Sequence, residues 1–178
     1  MLQGISKSTT CLSVDPGAKF MGYAVLRTTY ELLAHGTIIP RSRLVGLDRQ
    51  LYLISRLQDL IAEWQPATVA YEEYTWRSAD DGEGRYVLGR PAMERLIGGI
   101  QVLALWPPYP VVMGLLPGVW GKQLVGNTAH TKVDVACAVN LRLGTDYDGG
   151  HYTNHESDAV GIGIVALDNL AMQTAMGK

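Results

Sequence analysis

Cysteine, phenylalanine and surplus positive charge are what this chain has least of. Its 178 residues include two Cys and one Phe, and 15 Lys and Arg stand against 17 Asp and Glu. Two cysteines, Cys11 and Cys137, are too few for a disulfide-stapled scaffold, and their separation is not that of a zinc-ligand pair. Both fall inside apolar patterns and are expected to be reduced core thiols of a cytoplasmic protein. A net charge of −2 gives no positive support for nucleic-acid binding. It does not exclude it, because three of the acids discussed below are expected to belong to one site, and without them the acids fall just below the bases. The longest apolar region, Leu96 to Trp120, is broken by Gln101 and by Pro107, Pro108, Pro110 and Pro117. That interruption excludes a membrane span there. The opening Met1–Lys7 has no apolar stretch of the kind a secretory signal needs.

What is present is an ordinary globular composition, 47% hydrophobic and 18% charged, enough for a single domain with one core. Residues 10–15 read as a buried strand and 20–26 as its hairpin partner across an Asp-Pro-Gly turn. Residues 31–39 supply a third strand. The period then changes. Leu47, Leu51, Ile54, Leu57, Ile61 and Trp64 recur at three and four, which predicts an amphipathic helix over 47–64 stopped by Pro66. A strand over 67–72, a polar loop over 78–84, a helix over 91–105 and a strand over 110–116 follow. Helices over 130–143 and 155–172 complete the chain. Gly161 and Gly163 weaken the last one and imply close packing against the sheet. The expected fold is α/β: a mixed five-stranded sheet, three antiparallel strands followed by βαβ crossovers, flanked by helices.

Four residues far apart in the chain carry chemistry. Asp15 ends the first apolar run and Glu72 ends the fourth strand. A carboxylate at the end of a buried strand is unfavourable unless something compensates it. Side chains alternate along a strand, so only one of Glu72 and Glu73 shares the face of a site there. His155 and Asp158 lie three apart, on one face of a helix, where both reach a single ion. Acids at strand ends plus a His-x-x-Asp pair suggest divalent metal, and phosphodiester hydrolysis by two ions is the chemistry that most often wants this set.

The stretch Leu12-Ser-Val-Asp-Pro-Gly-Ala-Lys-Phe-Met-Gly-Tyr-Ala-Val25 resembles the opening of the RuvC Holliday-junction resolvases. Val69-Ala-Tyr-Glu-Glu73 is similar to their second acidic motif. Val125 to Val135, with Gly126 and Lys132, resembles their glycine-then-lysine segment, and His155-x-x-Asp158-Ala159 resembles their closing motif. The motifs keep the family's order along residues 10–165. The resemblance implies a ribonuclease-H-like fold, a homodimer, and Mg2+- or Mn2+-dependent cleavage of branched DNA such as four-way junctions, with two ions per active site. By position, Asp15, Glu72, His155 and Asp158 would hold the metals and Lys132 would contact the scissile phosphate or its neighbour. Lys122 falls near a second family lysine, with its spacing to Gly126 one residue short. Tyr74 or Trp76 would take the place of an aromatic that wedges into the junction. Arg77, Arg85, Arg90 and Arg95 form a loose basic cluster around that region, with Arg77 and Arg85 expected to face DNA. No tail suggests a helicase partner, and no membrane contact is expected.

Two other readings stay open at this stage. One is a ribonuclease-H-like nuclease acting on flaps, forks or RNA precursors. The other is a catalytically silent junction-binding dimer. A sugar-kinase or actin-like half-domain would need a second such domain around the nucleotide, for which this length does not suffice.

Overall fold

A computed structural model describes residues 10–73, 90–145 and 154–177. Its five strands are β1 (Thr10–Pro16), β2 (Met21–Arg27), β3 (Leu32–Ile38), β4 (Thr68–Glu72) and β5 (Val111–Leu115), in the spatial order β3-β2-β1-β4-β5. The pairs β1–β2 and β2–β3 are antiparallel, joined by short turns. The pairs β1–β4 and β4–β5 are parallel and need crossovers. Helix α1 (Gly46–Trp64) returns the chain from the β3 edge to β4, and α2 (Arg90–Val102) precedes β5. The expected α/β mixed sheet is therefore the observed one.

Strand alternation sorts the core into two layers. On one face Leu12, Val14, Val25, Val69 and Tyr71 pack against Leu53, Leu57 and Ile61 of α1 and Leu96 and Ile100 of α2. On the other, Cys11, Ala24, Leu26 and Ala70 pack against α5 (Asn154–Ala175), with α3 (Pro117–Val125) and α4 (Lys132–Leu143) outside it. Helix α5 is enclosed by sheet, α3 and α4, which explains why residues 157–167 are buried on every side rather than along one stripe. Its far end is tied by Asp168, which accepts from Tyr30 Oη at 2.5 Å and from Arg142 Nη2 at 2.7 Å.

Several expectations need correction. Helix α3 falls where only a strand-to-helix connection is expected. Nine residues containing Gly118 and Gly121 show no helical period, and Pro117, which looks like a terminator, occupies the first turn, where its missing N–H is harmless. The helix expected over 91–105 ends at Val102 and tightens into a 3-10 turn over Leu103–Leu105. Cys137 is exposed on α4, not a core thiol, whereas Cys11 is buried and its thiol pushed up to about 12 by desolvation. Of the two helix glycines, Gly163 lies against the sheet, where a Cβ would stand 2.6 Å from Ser13 Oγ; Gly161 instead faces Leu124 of α3. The polar loop 78–84 lies outside the described residues.

Gly22 on β2 sets how closely α5 approaches. A Cβ there would collide with the backbone carbonyl of His155. Backbone meets backbone at the turn of α5 that carries His155 and Asp158. Gly22→Ala is expected to destabilise the protein by about 2 kcal/mol, the usual scale for overpacking, and to displace that turn. A denaturant midpoint equal to that of the unsubstituted chain would show that α5 does not depend on this contact.

Candidate active site

The parallel register of β1 on β4 runs from Cys11↔Thr68 to Val14↔Tyr71. One residue further, Asp15 and Glu72 stand at the same rim, still paired with Gly22 of β2 and Leu115 of β5. Val14 and Tyr71 enter the α1/α2 layer, so alternation turns Asp15 and Glu72 to the α5 face. Glu73 goes the other way: its side chain lies against Gly114 of β5, and its N–H donates to Leu115 O at 2.9 Å. The choice between the two glutamates is thus made by strand geometry.

Helix α5 brings the other pair to this rim. His155 Nδ1 is 2.6 Å from Asp15 Oδ2. Asp158, one turn on, is 2% exposed and paired with the Lys132 ammonium. Lys132 opens α4, where Thr131 and Asp134 form a reciprocal capping box that fixes the helix start. Glu156 turns towards β3, accepting from Thr37 Oγ1 at 2.9 Å. Glu72 Oε2 accepts from the Trp120 indole N–H at 2.8 Å. A cleft of about 480 Å3 opens beside these groups, lined among others by Glu72, Trp120, Thr128, His130, Lys132 and Asp158.

The electrostatics are those of crowded acids. Burial, followed by the charge of Asp15, pushes the Glu72 carboxyl up to about 7, and Asp158 adds to this while the Trp120 hydrogen bond and Lys132 oppose it. Burial likewise raises Asp158 against the opposing pull of Lys132. His155 is raised chiefly by its hydrogen bond to Asp15, with desolvation opposing.

The remaining expected residues are not gathered here. Lys122 is exposed in the last turn of α3 and is not among the residues lining the cleft. Tyr74, Trp76, Arg77 and Arg85 lie outside the described residues. Trp120, Thr128 and His130 are cleft residues that the sequence does not announce. A Pro opening a helix three residues before a Trp was the available signal, and it reads equally as a turn and a core aromatic.

No protein-family model matches the chain. It is 25% identical over 163 residues to a crossover junction endodeoxyribonuclease RuvC of Maricaulis maris, covering 88% of this chain and 89% of that one. A second RuvC, from Alkaliphilus metalliredigens, is 32% identical over 65 residues, or 35% of this chain and 40% of that one. Among solved structures, T. thermophilus RuvC in complex with Holliday junction substrate superposes with a TM-score of 0.76 at 20% identity, covering 93% of this chain and 97% of that one. The fold is RuvC-like. The yeast mitochondrial Holliday junction resolvase shares it more distantly, with a TM-score of 0.60 at 13% identity over 93% of this chain and 78% of that one.

In this RuvC-like frame the cluster suits a hard divalent cation. As placed, no three His, Cys, Asp or Glu side chains among the described residues are arranged around one ion; the acids instead engage His155, Lys132 and Trp120. Yet Asp158 Oδ1 is buried with no hydrogen-bond partner among the described residues. A buried carboxylate oxygen left unpaired beside two further acids is unfavourable, and the Lys132 ammonium engages only the other oxygen. Carboxylate oxygens with one imidazole are donors that Mg2+ and Mn2+ accept.

The crowding has a consequence for stability. A carboxyl raised in the folded state contributes most below its unfolded pKa and loses that contribution as pH rises through the folded value. In metal-free protein, Glu72→Gln should therefore stabilise by an amount that grows between pH 4.5 and 7 and levels off above at roughly 3 kcal/mol. Thermal melts of both proteins in EDTA at the two ends of that range test this. A difference that does not change with pH would mean that neither burial nor the neighbouring acids raise the Glu72 carboxyl.

Proposed function

We propose that this chain is a metal-dependent endonuclease that resolves four-way junctions and related branched DNA, nicking paired strands as a homodimer. The observation that carries the reading is the meeting of Asp15, Glu72, His155 and Asp158 at one sheet rim, with Asp158 Oδ1 buried and unpaired there and Lys132 beside it. The junction-resolving activity named for the similar RuvC proteins supports it.

Asp15, Glu72, His155 and Asp158 would hold the ions. Two bound Mg2+ or Mn2+ ions would supply water activation and charge stabilisation at the attacked phosphate and the leaving oxygen. The protein's own groups orient and balance charge. Hydrogen bonding of His155 Nδ1 to Asp15 fixes the ring and leaves Nε2 as the donor atom for a cation. Lys132 holds an ammonium at the cleft wall, where a backbone phosphate enters. Tyr74 or Trp76 supplies a stacking surface for an unpaired base, and Arg77 and Arg85 supply phosphate contacts. Lys122 is assigned a contact with more distant backbone. No helix among the described residues is long and apolar enough to cross a membrane.

Labelled four-way junction, fork, flap and linear duplex, each with Mg2+ or Mn2+, separate the readings. Symmetric nicks in the junction that disappear in Glu72→Gln are the expected result. Equal cutting of every branch would replace junction resolution with general debranching, and no cutting would favour an RNA substrate or a silent binding dimer. Asp15→Asn should lose cleavage, by at least about 100-fold, while retaining junction binding in a mobility shift, because it removes a ligand charge but no basic surface. Loss of binding alone would make Asp15 structural.

Charge reversal at Arg77 and Arg85 addresses the DNA-facing edge. The double variant should bind junction more weakly, and its log-affinity should fall less steeply with log salt, by about one unit for each phosphate contact removed. An unchanged slope would place both arginines away from DNA.

A further inference from the structure

We propose that Trp120 is a positioning residue for Glu72: its indole N–H holds the carboxylate at the sheet rim and so sets the affinity of the acid cluster for divalent cations. This rests on the reading of the cluster as a metal site. Three observations point to it. The Nε1–Oε2 separation is 2.8 Å, a well-formed hydrogen bond between residues on different elements. Trp120 is 3% exposed, so its N–H has lost water and depends on this acceptor. The ring is also held in place. His130 stands against it at 5.9 Å between ring centroids, tilted 56°, and α5 passes beside it at Gly161, where even a methyl group would come within 3.2 Å of Trp120 Cζ3.

The nature of the donor matters. Glu72 lies in the field of Asp15 and Asp158, so its carboxylate is repelled from the rim that a cation would occupy. A cationic partner would keep it there but would also cancel the charge a metal needs. An indole N–H holds one oxygen and adds no net charge. It therefore fixes the carboxylate's place while leaving the acid competent as a ligand. Partners of this kind commonly change metal affinity by about 10- to 100-fold when removed.

A purely packing role is separable from this one. Trp120→Phe removes the N–H and part of the ring. Benzothienylalanine introduced at position 120 keeps the bicyclic shape and removes only the N–H. Mg2+ titrations of the full chain, followed by amide and indole N–H resonances, give the affinity without requiring turnover. The chain has four tryptophans, and the Trp120 indole signal is the one missing from Trp120→Phe. In the unsubstituted protein that signal is expected to shift on Mg2+ addition. Both replacements are expected to weaken Mg2+ binding by about 10-fold or more, the benzothienyl protein with a melting midpoint no lower than that of Trp120→Phe. If the benzothienyl protein binds Mg2+ as tightly as the unsubstituted one, Trp120 only packs and the proposal is overturned. If the unsubstituted protein binds neither Mg2+ nor Mn2+, alone or with junction DNA, the metal reading itself fails and takes the proposal with it.

Discussion

Mutual repulsion among three carboxylates at the end of one sheet is the constraint that the surrounding structure is built to withstand. Asp15 and Asp158 are nearly buried, and Glu72 feels both of them. In a low-dielectric environment like charges this close would drive one another apart or take up protons. The fold prevents separation mechanically. Two of the acids end hydrogen-bonded parallel strands, and the third stands on a helix pressed to the sheet backbone at Gly22. None can move without disturbing the core layer beneath it. The unfavourable electrostatic energy is thus held by packing, which distinguishes this cluster from a surface patch of acids.

That arrangement was partly legible in the sequence because strands write their geometry plainly. An apolar run ending in an acid marks a strand that reaches a rim, and alternation fixes which face each neighbour takes. Asp15, Glu72, His155 and Asp158 could be named from these rules and from the three-residue spacing on α5. The hairpin set and the crossovers followed from the change of period at Leu47. Even the ambiguity between Glu72 and Glu73 was of the right kind, since only the strand's phase against the α1/α2 layer resolves it.

What could not be read were features that depend on distant partners. Helix α3 is short, contains two glycines and begins with Pro117, so no window of its sequence carries a helical signature. It forms because it packs on α4 and α5, which is tertiary context overriding weak propensity. Cys137 shows the converse error. Its apolar neighbours Val135 and Val139 are buried while it points outward, because a helix interleaves inner and outer positions inside one apolar stretch. The Trp120–Glu72 contact joins residues 48 apart in the chain, and nothing in either local sequence requires it.

The partners chosen by the three acids differ in charge, and that difference has a logic. Asp158, the most buried, is paired with a full ammonium from Lys132. Asp15 meets an imidazole whose basicity that contact raises, so its compensation varies with proton supply. Glu72 receives only a neutral N–H. Compensation therefore falls from Asp158 to Glu72, although both line the same cleft. For a chain with net charge −2, this matters for any phosphate that enters: an acidic rim repels it. Only a cation held at that rim reverses the sign of the local field. A net negative charge and a crowded acidic site are then compatible with a polyanionic substrate, because a bound cation would supply the attraction at the site itself and not over the surface at large.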